Sequence, residues 1–289
     1  MFVQGGLSPS LGTPVLSSGR LSTSPADPPI VLWYSPCQRM KLESILEYVD
    51  GYLGVTSHPD YPNACNGLQV DGPKEVTRLC TAVDASEAAI AEAVSRNAHL
   101  LMVHHGLFWD GLLPLTGRRH RKIARLIRGD LGIYSIHLPL DAHAEIGNCI
   151  LLTRALEISP VGRFGAFQGA ELGWWGESYF ERNRLVERAQ AVLGGPVQLL
   201  AYGPERTERV GVITGSGGSL VEDAARLGLD TLVTGEGPHH AAIAAAELGI
   251  NVVYGGHYAT ETFGIRALGE HLAERFGLEQ EFLDLPTRT

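Results

Sequence analysis

The sequence predicts an α/β fold in which one unit is used twice. Two observations carry that expectation. From Arg78 onward, short apolar runs alternate with amphipathic stretches, the order that builds mostly parallel sheets. The pattern then restarts after about residue 160 with matched distances: 20 residues separate Asp84 from His104, and 20 separate Thr214 from Thr234, each pair at consecutive strand ends. The third strand ends, His137 and His257, are each followed four residues later by an acid, Asp141 and Glu261. The chain is therefore divided into a tail, residues 1–39, a first α/β repeat, 40–160, and a second, 161–289.

Residues 1–39 are rich in Ser, Pro and Gly and lack periodicity, which predicts a disordered tail. Leu42, Ile45, Leu46, Val49 and Leu53 then fall at helical spacing, and Gly54 closes that helix. A polar loop carrying Asn66–Val70 follows. Arg78–Val83 reads as a strand, and Ser86 as the N-cap of a helix with Ala89, Ile90, Ala93 and Val94 on its apolar stripe. Leu100–Val103 is an unbroken apolar run, the mark of a strand buried on both faces. Next come a basic helix over 118–128, a strand over 132–136, and a helix from just past Asp141 to about Leu156. Gly162–Gly176 reads as loop, with a strand at Ala170–Trp174. The second repeat supplies a helix over 180–193 and strands at 198–202, 209–214, 231–234 and 251–254. Its other helices start at Ser219, Pro238 and Thr260, and an edge strand lies at 281–285.

With 44% hydrophobic and 19% charged residues, the 289-residue chain has the composition of an ordinary globular protein. Its net charge of −9 argues against a general nucleic-acid binder. The four cysteines include no C-x-x-C pair and are too few for a disulfide framework, which points to a reducing, cytoplasmic setting. No apolar run approaches the ~18 residues of a membrane span, so no membrane partner is expected.

The candidate chemistry lies just past strand ends, where open α/β sheets hold their ligands. His104 and His105 end a strand that has no packing use for two imidazoles. Side chains of neighbouring strand residues point to opposite faces, so the two serve one ion only if the strand breaks up there. With His137, Asp141, His257 and Glu261 they form a set suited to Zn, Fe, Mn, Co or Ni. That set is too large for one tetrahedral ion with an open position. It suits two ions ~3.5–4 Å apart, which together make hydroxide available at neutral pH. Glu236 and His240, past another strand end, are candidate proton-transfer groups. Gly215–Gly218 lacks a following Gly-Lys and reads as a tight turn rather than a phosphate cradle. Arg118–Lys122 reads as a solvated helix face, and Trp174 and Trp175 as packing residues.

Five ordered segments carry a resemblance: NGLQV at Asn66–Val70, VHHGLFW at Val103–Trp109, IHLPLDAH at Ile136–His143, TGEG at Thr234–Gly237 and GGHYATE at Gly255–Glu261. From about Met40 to the C-terminus the chain resembles the NIF-three-like family. Bacterial members are labelled GTP cyclohydrolase 1 type 2 homologues or dinuclear metal-centre hexameric proteins. The resemblance implies two intertwined, duplicated α/β domains with mixed, mostly parallel sheets, and a homohexameric ring. It also implies two divalent ions per chain in the cleft between the repeats, held by His104, His105, Asp141, His257 and Glu261. His137 matches a family position outside the usual ligands, and residues 1–39 find no counterpart. The expected function is metal-dependent hydrolysis of a small nucleotide-like substrate, a metal-bound hydroxide attacking and Glu236 or His240 relaying protons. The alternative is a non-catalytic metal-binding scaffold presenting its ring to partners. Five ligands give each of two ions three protein bonds only if a carboxylate is shared; Asp141, approached through a short Pro-containing loop, is the expected bridge.

Overall fold

The computed structural model describes residues 39–287; the expected tail, up to residue 38, lies outside the described residues. The first half runs β1 (Met40–Lys41), α1 (Leu42–Leu53), β2 (Gly67–Val70), β3 (Glu75–Val76), β4 (Arg78–Asp84), α2 (Glu87–Ser95), β5 (Leu100–His105), α3 (Gly117–Arg128), β6 (Gly132–Ser135), α4 (Leu138–Ala142) and α5 (Asn148–Ala155). There follow β7 (Ser159–Phe167), β8 (Ala170–Glu177), α6 (Arg182–Leu193), β9 (Gln198–Leu200), β10 (Arg209–Val212), α7 (Val221–Arg226) and β11 (Thr231–Thr234). The chain closes with α8 (His239–Leu248), β12 (Asn251–Tyr254), α9 (His257–Thr260), α10 (Thr262–Phe276) and β13 (Glu279–Phe282).

Local chemistry accounts for the boundaries. In α1 the residues Ile45, Val49 and Leu53 are buried at helical spacing, and Gly54 ends the helix in the left-handed conformation. The Ser86 hydroxyl accepts from the Ala89 amide at 3.0 Å and so caps α2. Among the described residues no helix is long and apolar enough to cross a membrane.

The strands form two mixed sheets plus a small antiparallel pair, β1 with β3. One sheet has the order β13-β4-β5-β6-β2 and the other β7-β8-β10-β11-β12-β9. In the first, β4, β5 and β6 are parallel and β2 is antiparallel to β6. In the second, β10, β11 and β12 are parallel and β9 is antiparallel to β12. The same four-strand arrangement thus occurs once in each half of the chain.

The helices that follow each third parallel strand change sides. Ile265, Leu268 and Leu272 of α10 are fully buried in the core of the first sheet, beside Ile45, Leu79 and Leu100. Leu152 of α5 is buried in the core of the second sheet, beside Val210, Val212 and Val253. β13 then returns to pair with β4. Residue 160 therefore separates most of the strands but not the helices, and this exchange is the intertwining. One consequence is measurable. Leu268→Ala removes a fully buried side chain from the core of the opposite half, and should destabilise the chain by about 2–5 kcal/mol. Urea unfolding followed by circular dichroism reads this; a loss no larger than that of a surface substitution would argue against the exchange.

Besides the short pair β1 and β3 and a shift of the last strand from 281–285 to 279–282, two strands differ from expectation. Residues 67–70 form β2 rather than loop, and 159–167 form β7, half of a long hairpin with β8. Five glycines between 162 and 176 obscure the alternation that would otherwise mark β7 and β8. The hairpin turns at Gln168-Gly169, both at positive φ (47° and 91°), the two-residue turn that matches strand twist. Gly173 faces Phe164 across the pair, and a Cβ there would strike the Phe164 ring. Glycine here makes room for an aromatic side chain rather than breaking the strand. Trp174 and Trp175 pack against the second core, each covered by a guanidinium, Arg163 and Arg209 respectively.

Candidate metal centre

Three segments meet where the two halves cross. β5 ends in His104 and His105. α4, the turn after β6, supplies Asp141. His257 opens α9, and Glu261 joins α9 to α10. His104 and Glu261 are almost wholly buried, at 0% and 2% exposure, and Asp141 is buried at 5%. At the strand's end the imidazoles of His104 and His105 stand with ring centres 4.7 Å apart. Both reach one carboxylate: His104 Nε2 lies 3.6 Å from Glu261 Oε1, and His105 Nε2 lies 3.4 Å from Oε2. His257 Nε2 approaches Oε1 at 3.2 Å. Asp141 Oδ2 is 3.5 Å from His104 Nε2.

Hydrogen bonds at the outer nitrogens fix the tautomers. His104 Nδ1 donates to the Ile136 carbonyl at 2.9 Å. His105 Nδ1 donates to Asp84 Oδ1 at 3.0 Å, and His257 Nδ1 to Glu236 Oε1 at 2.7 Å. Each partner only accepts, so each Nδ1 carries a hydrogen and it is Nε2 that faces the carboxylates, available to a metal ion or to a second proton. Three Nε2 atoms facing carboxylate oxygens need positive charge between them, a proton or a metal ion. His104 Nε2 and Glu261 Oε2 are buried atoms without a hydrogen-bond partner, a costly arrangement in a protein interior. Donor set, tautomers and orphaned atoms all fit divalent ions.

The electrostatics agree. Burial works against charge on His104, yet Asp141 and Glu261 hold its pKa well above the ordinary histidine value. Burial also opposes ionisation of Glu261, and His105 and His104 outweigh it, holding that carboxyl well below its usual range. Asp141 is likewise lowered, with burial opposing and His104 deciding. Despite its burial, His257 is pushed up to about 9 by Glu261 and Glu236. The carboxylates keep their charge by drawing cationic partners around them, the role a metal takes over.

Two groups share Glu261: His104 with Asp141 and Glu261, and His105 with His257 and Glu261, each with ligand atoms within 4.8 Å of one another. The expected bridge does not fit Asp141. Its Oδ1 already accepts from Asn148 Nδ2 at 2.8 Å and Thr214 Oγ1 at 3.0 Å, leaving only Oδ2 for the cluster. Both oxygens of Glu261 face histidines. Gly215, in the turn after β10, stands against that carboxylate, where a Cβ would collide with Glu261 Oε1.

The cluster opens into a cavity of about 690 Å³, within the range of small-molecule sites. His105, Asp141, His257 and Glu261 line one side; Tyr61, Trp109 and Phe167 give the other an aromatic wall.

A sequence model of the family described as Duf34/NIF3 (NGG1p interacting factor 3) matches residues 40–288. The chain belongs to the NIF3 family. The protein described as "GTP cyclohydrolase 1 type 2 homolog" in Deinococcus radiodurans is 37% identical over 247 residues, covering 85% of this chain and 93% of that one. The protein of the same description in Archaeoglobus fulgidus is 38% identical over 248 residues, covering 86% and 99%. Among solved structures, the ybgI protein, described as of unknown function, superposes with a TM-score of 0.81 at 36% identity, covering 86% of this chain and 100% of that one. TTHA1606 from Thermus thermophilus gives 0.77 at 36% identity, with the same coverage. The matched NIF3 region contains every residue of the cluster.

Within this NIF3 chain the two expected proton-transfer residues fare differently. Glu236 Oε1 is engaged by His257 and by Ser216 Oγ at 2.7 Å, so Glu236 orients His257 rather than standing free. His240 is exposed in the first turn of α8 and is not among the residues lining the cavity. The loop 235–238 and the start of α8 separate it from the strand end that brought Glu236 into place. His137 sits in the wall, its Nδ1 donating to Asp60 Oδ1 at 2.8 Å and its ring 4.7 Å from Trp109. Sequence reasoning missed the positioning residues Asp60, Asp84, Asn148 and Thr214. Of these, Asp84 and Thr214, both at strand ends, carried a visible signal.

Proposed function

We propose that this protein is a metal-dependent hydrolase that holds two divalent ions and acts on a small nucleotide-like substrate. The observation that carries the reading is the set of three histidines, each locked at Nδ1 by an acceptor and each aiming Nε2 at one buried carboxylate. Outer partners of this kind orient ligands and raise their basicity. His104, Asp141 and Glu261 would hold one ion, and His105, His257 and Glu261 the other, with Glu261 shared. Bound ions of this class supply Lewis acidity and make water acidic enough to attack at neutral pH.

The chain's own residues do the rest. Asp84 and Glu236 hold the imidazoles of His105 and His257 in register, and Asn148 and Thr214 fix the Asp141 carboxylate. Tyr61, Trp109 and Phe167 offer flat apolar faces to a heteroaromatic ring and exclude water beside the cluster. The hexameric ring implied by the resemblance is carried forward as part of this proposal.

Removal of metal tests it. Protein purified with its native metal should hydrolyse at least one member of a panel of nucleotides and cyclic amides. Chelation should abolish that activity, and restoring divalent metal should recover it. Metal-loaded protein inert across the panel would favour the non-catalytic scaffold.

A further inference from the structure

A second cavity, of about 240 Å³, opens beside the first and shares Asp84, His105 and Trp109 with it. One wall is cationic, formed by Arg118, Arg119 and Lys122 of α3. Another is the start of α2, through Ala85 and its N-cap Ser86. The cations are unevenly engaged. Arg118 and Arg119 both pair with the single carboxylate of Asp110, at 2.8 and 2.7 Å. Arg121 turns away to Glu87. Lys122 is only partly exposed and makes no hydrogen bond or ion pair among the described residues. Asp84, the other acid on the lining, is committed to His105. Three cations thus face two carboxylates, Asp110 and Asp84, an excess of one positive charge on a chain whose net charge is −9.

The carboxylates of Glu87, Asp110 and Asp84 act on Lys122 only from beyond contact, so its partly buried ammonium can take an incoming anion as its direct partner. Guanidinium groups suit the flat, bidentate recognition of phosphate, and lysine binds it as a point charge. The N-terminus of α2 adds partial positive charge at the same place. The excess of positive charge favours an anion such as a phosphate group. We propose that this cavity is a phosphate subsite: Lys122 and Arg119 hold a phosphate group of the substrate while the rest passes Trp109 and His105 to the metal cluster. The proposal rests on the hydrolase reading for the word substrate, but not for the binding itself.

The test is titration calorimetry of inorganic phosphate into the full chain as purified, with metal content measured on every sample. Lys122→Met keeps the aliphatic stem and should weaken phosphate binding by more than about tenfold. Lys122→Arg should stay within about threefold of wild type, and Arg128→Met, an exposed cation of the same helix outside the cavity, should bind as wild type. All three should keep wild-type metal content. Phosphate binding unaffected by Lys122→Met would overturn the proposal, because phosphate would then sit on the ions or elsewhere. Equal losses in Lys122→Met and Arg128→Met would also overturn it, by assigning the effect to diffuse charge. Because the readout is binding, absence of turnover would defeat the hydrolase reading and leave this one standing.

Discussion

On the two-ion reading proposed above, Glu261→Gln should strip both ions from the protein while leaving the fold intact. Glu261 is the one residue whose two oxygens face all three histidines: Oε1 lies 3.6 Å from His104 Nε2 and 3.2 Å from His257 Nε2, and Oε2 lies 3.4 Å from His105 Nε2. Glutamine keeps the shape but removes the charge and replaces one oxygen with a donor. A buried amide can donate to an imidazole Nε2, so the vacant variant gains a hydrogen bond where the wild type has an orphaned atom. Affinity at both positions should fall by more than about 100-fold, since even loss of an outer partner costs 10–100-fold. The melting temperature in chelator should stay close to that of the wild type in chelator, while the stabilisation that added metal gives the wild type should vanish. His105→Ala should behave otherwise, weakening mainly one position. Metal analysis after dialysis against a weak chelator distinguishes the two. Two ions per chain at wild-type affinity in Glu261→Gln would show that the shared ligand is not Glu261.

The parts of this architecture legible in sequence were those written in local periodicity. β11 and β12 fall on the expected residues, and α1 and the start of α2 follow from apolar spacing, Gly54 and Ser86. The five residues of the cluster were legible because each lies at or just past a strand end, where an imidazole or acid has little packing use. What stayed hidden is relational. The crossing of α5 and α10 depends on which sheet each apolar face meets, and both helices carry similar faces. Asp141 was expected to bridge because its own loop favoured it; Asn148 and Thr214, which occupy one of its oxygens, lie 7 and 73 residues away. Arg119 and Lys122 read as a solvated face because helical spacing does not reveal the cavity beneath. Asp60, which holds His137, Asn66 and the start of α4 together, lies in a loop without pattern.

Gly215→Ala should cost the protein its metal although Gly215 ligates nothing. Two effects act at this position. Its φ of +63° lies in the left-handed region, where a non-glycine residue costs roughly 1–2 kcal/mol. A Cβ there would also collide with Glu261 Oε1 and come within 3.3 Å of His257 Nε2. The obstacle is not the far end of a flexible surface chain. Glu261 is 2% exposed and Thr260 beside it is fully buried, its hydroxyl accepting from the Gly215 amide at 3.1 Å. The carboxylate must therefore turn away from His257, and affinity should fall by at least the roughly 10–100-fold that loss of an outer partner costs. Backbone strain alone is separated by Gly228→Ala. Gly228 has a φ of +71° and nothing within 4 Å of its would-be Cβ. That variant should lose a similar 1–2 kcal/mol, read by urea unfolding, and keep its full metal content. If Gly215→Ala also retains wild-type metal content, the Glu261 carboxylate has room to move, and its shared contact with His257 does not depend on the glycine turn.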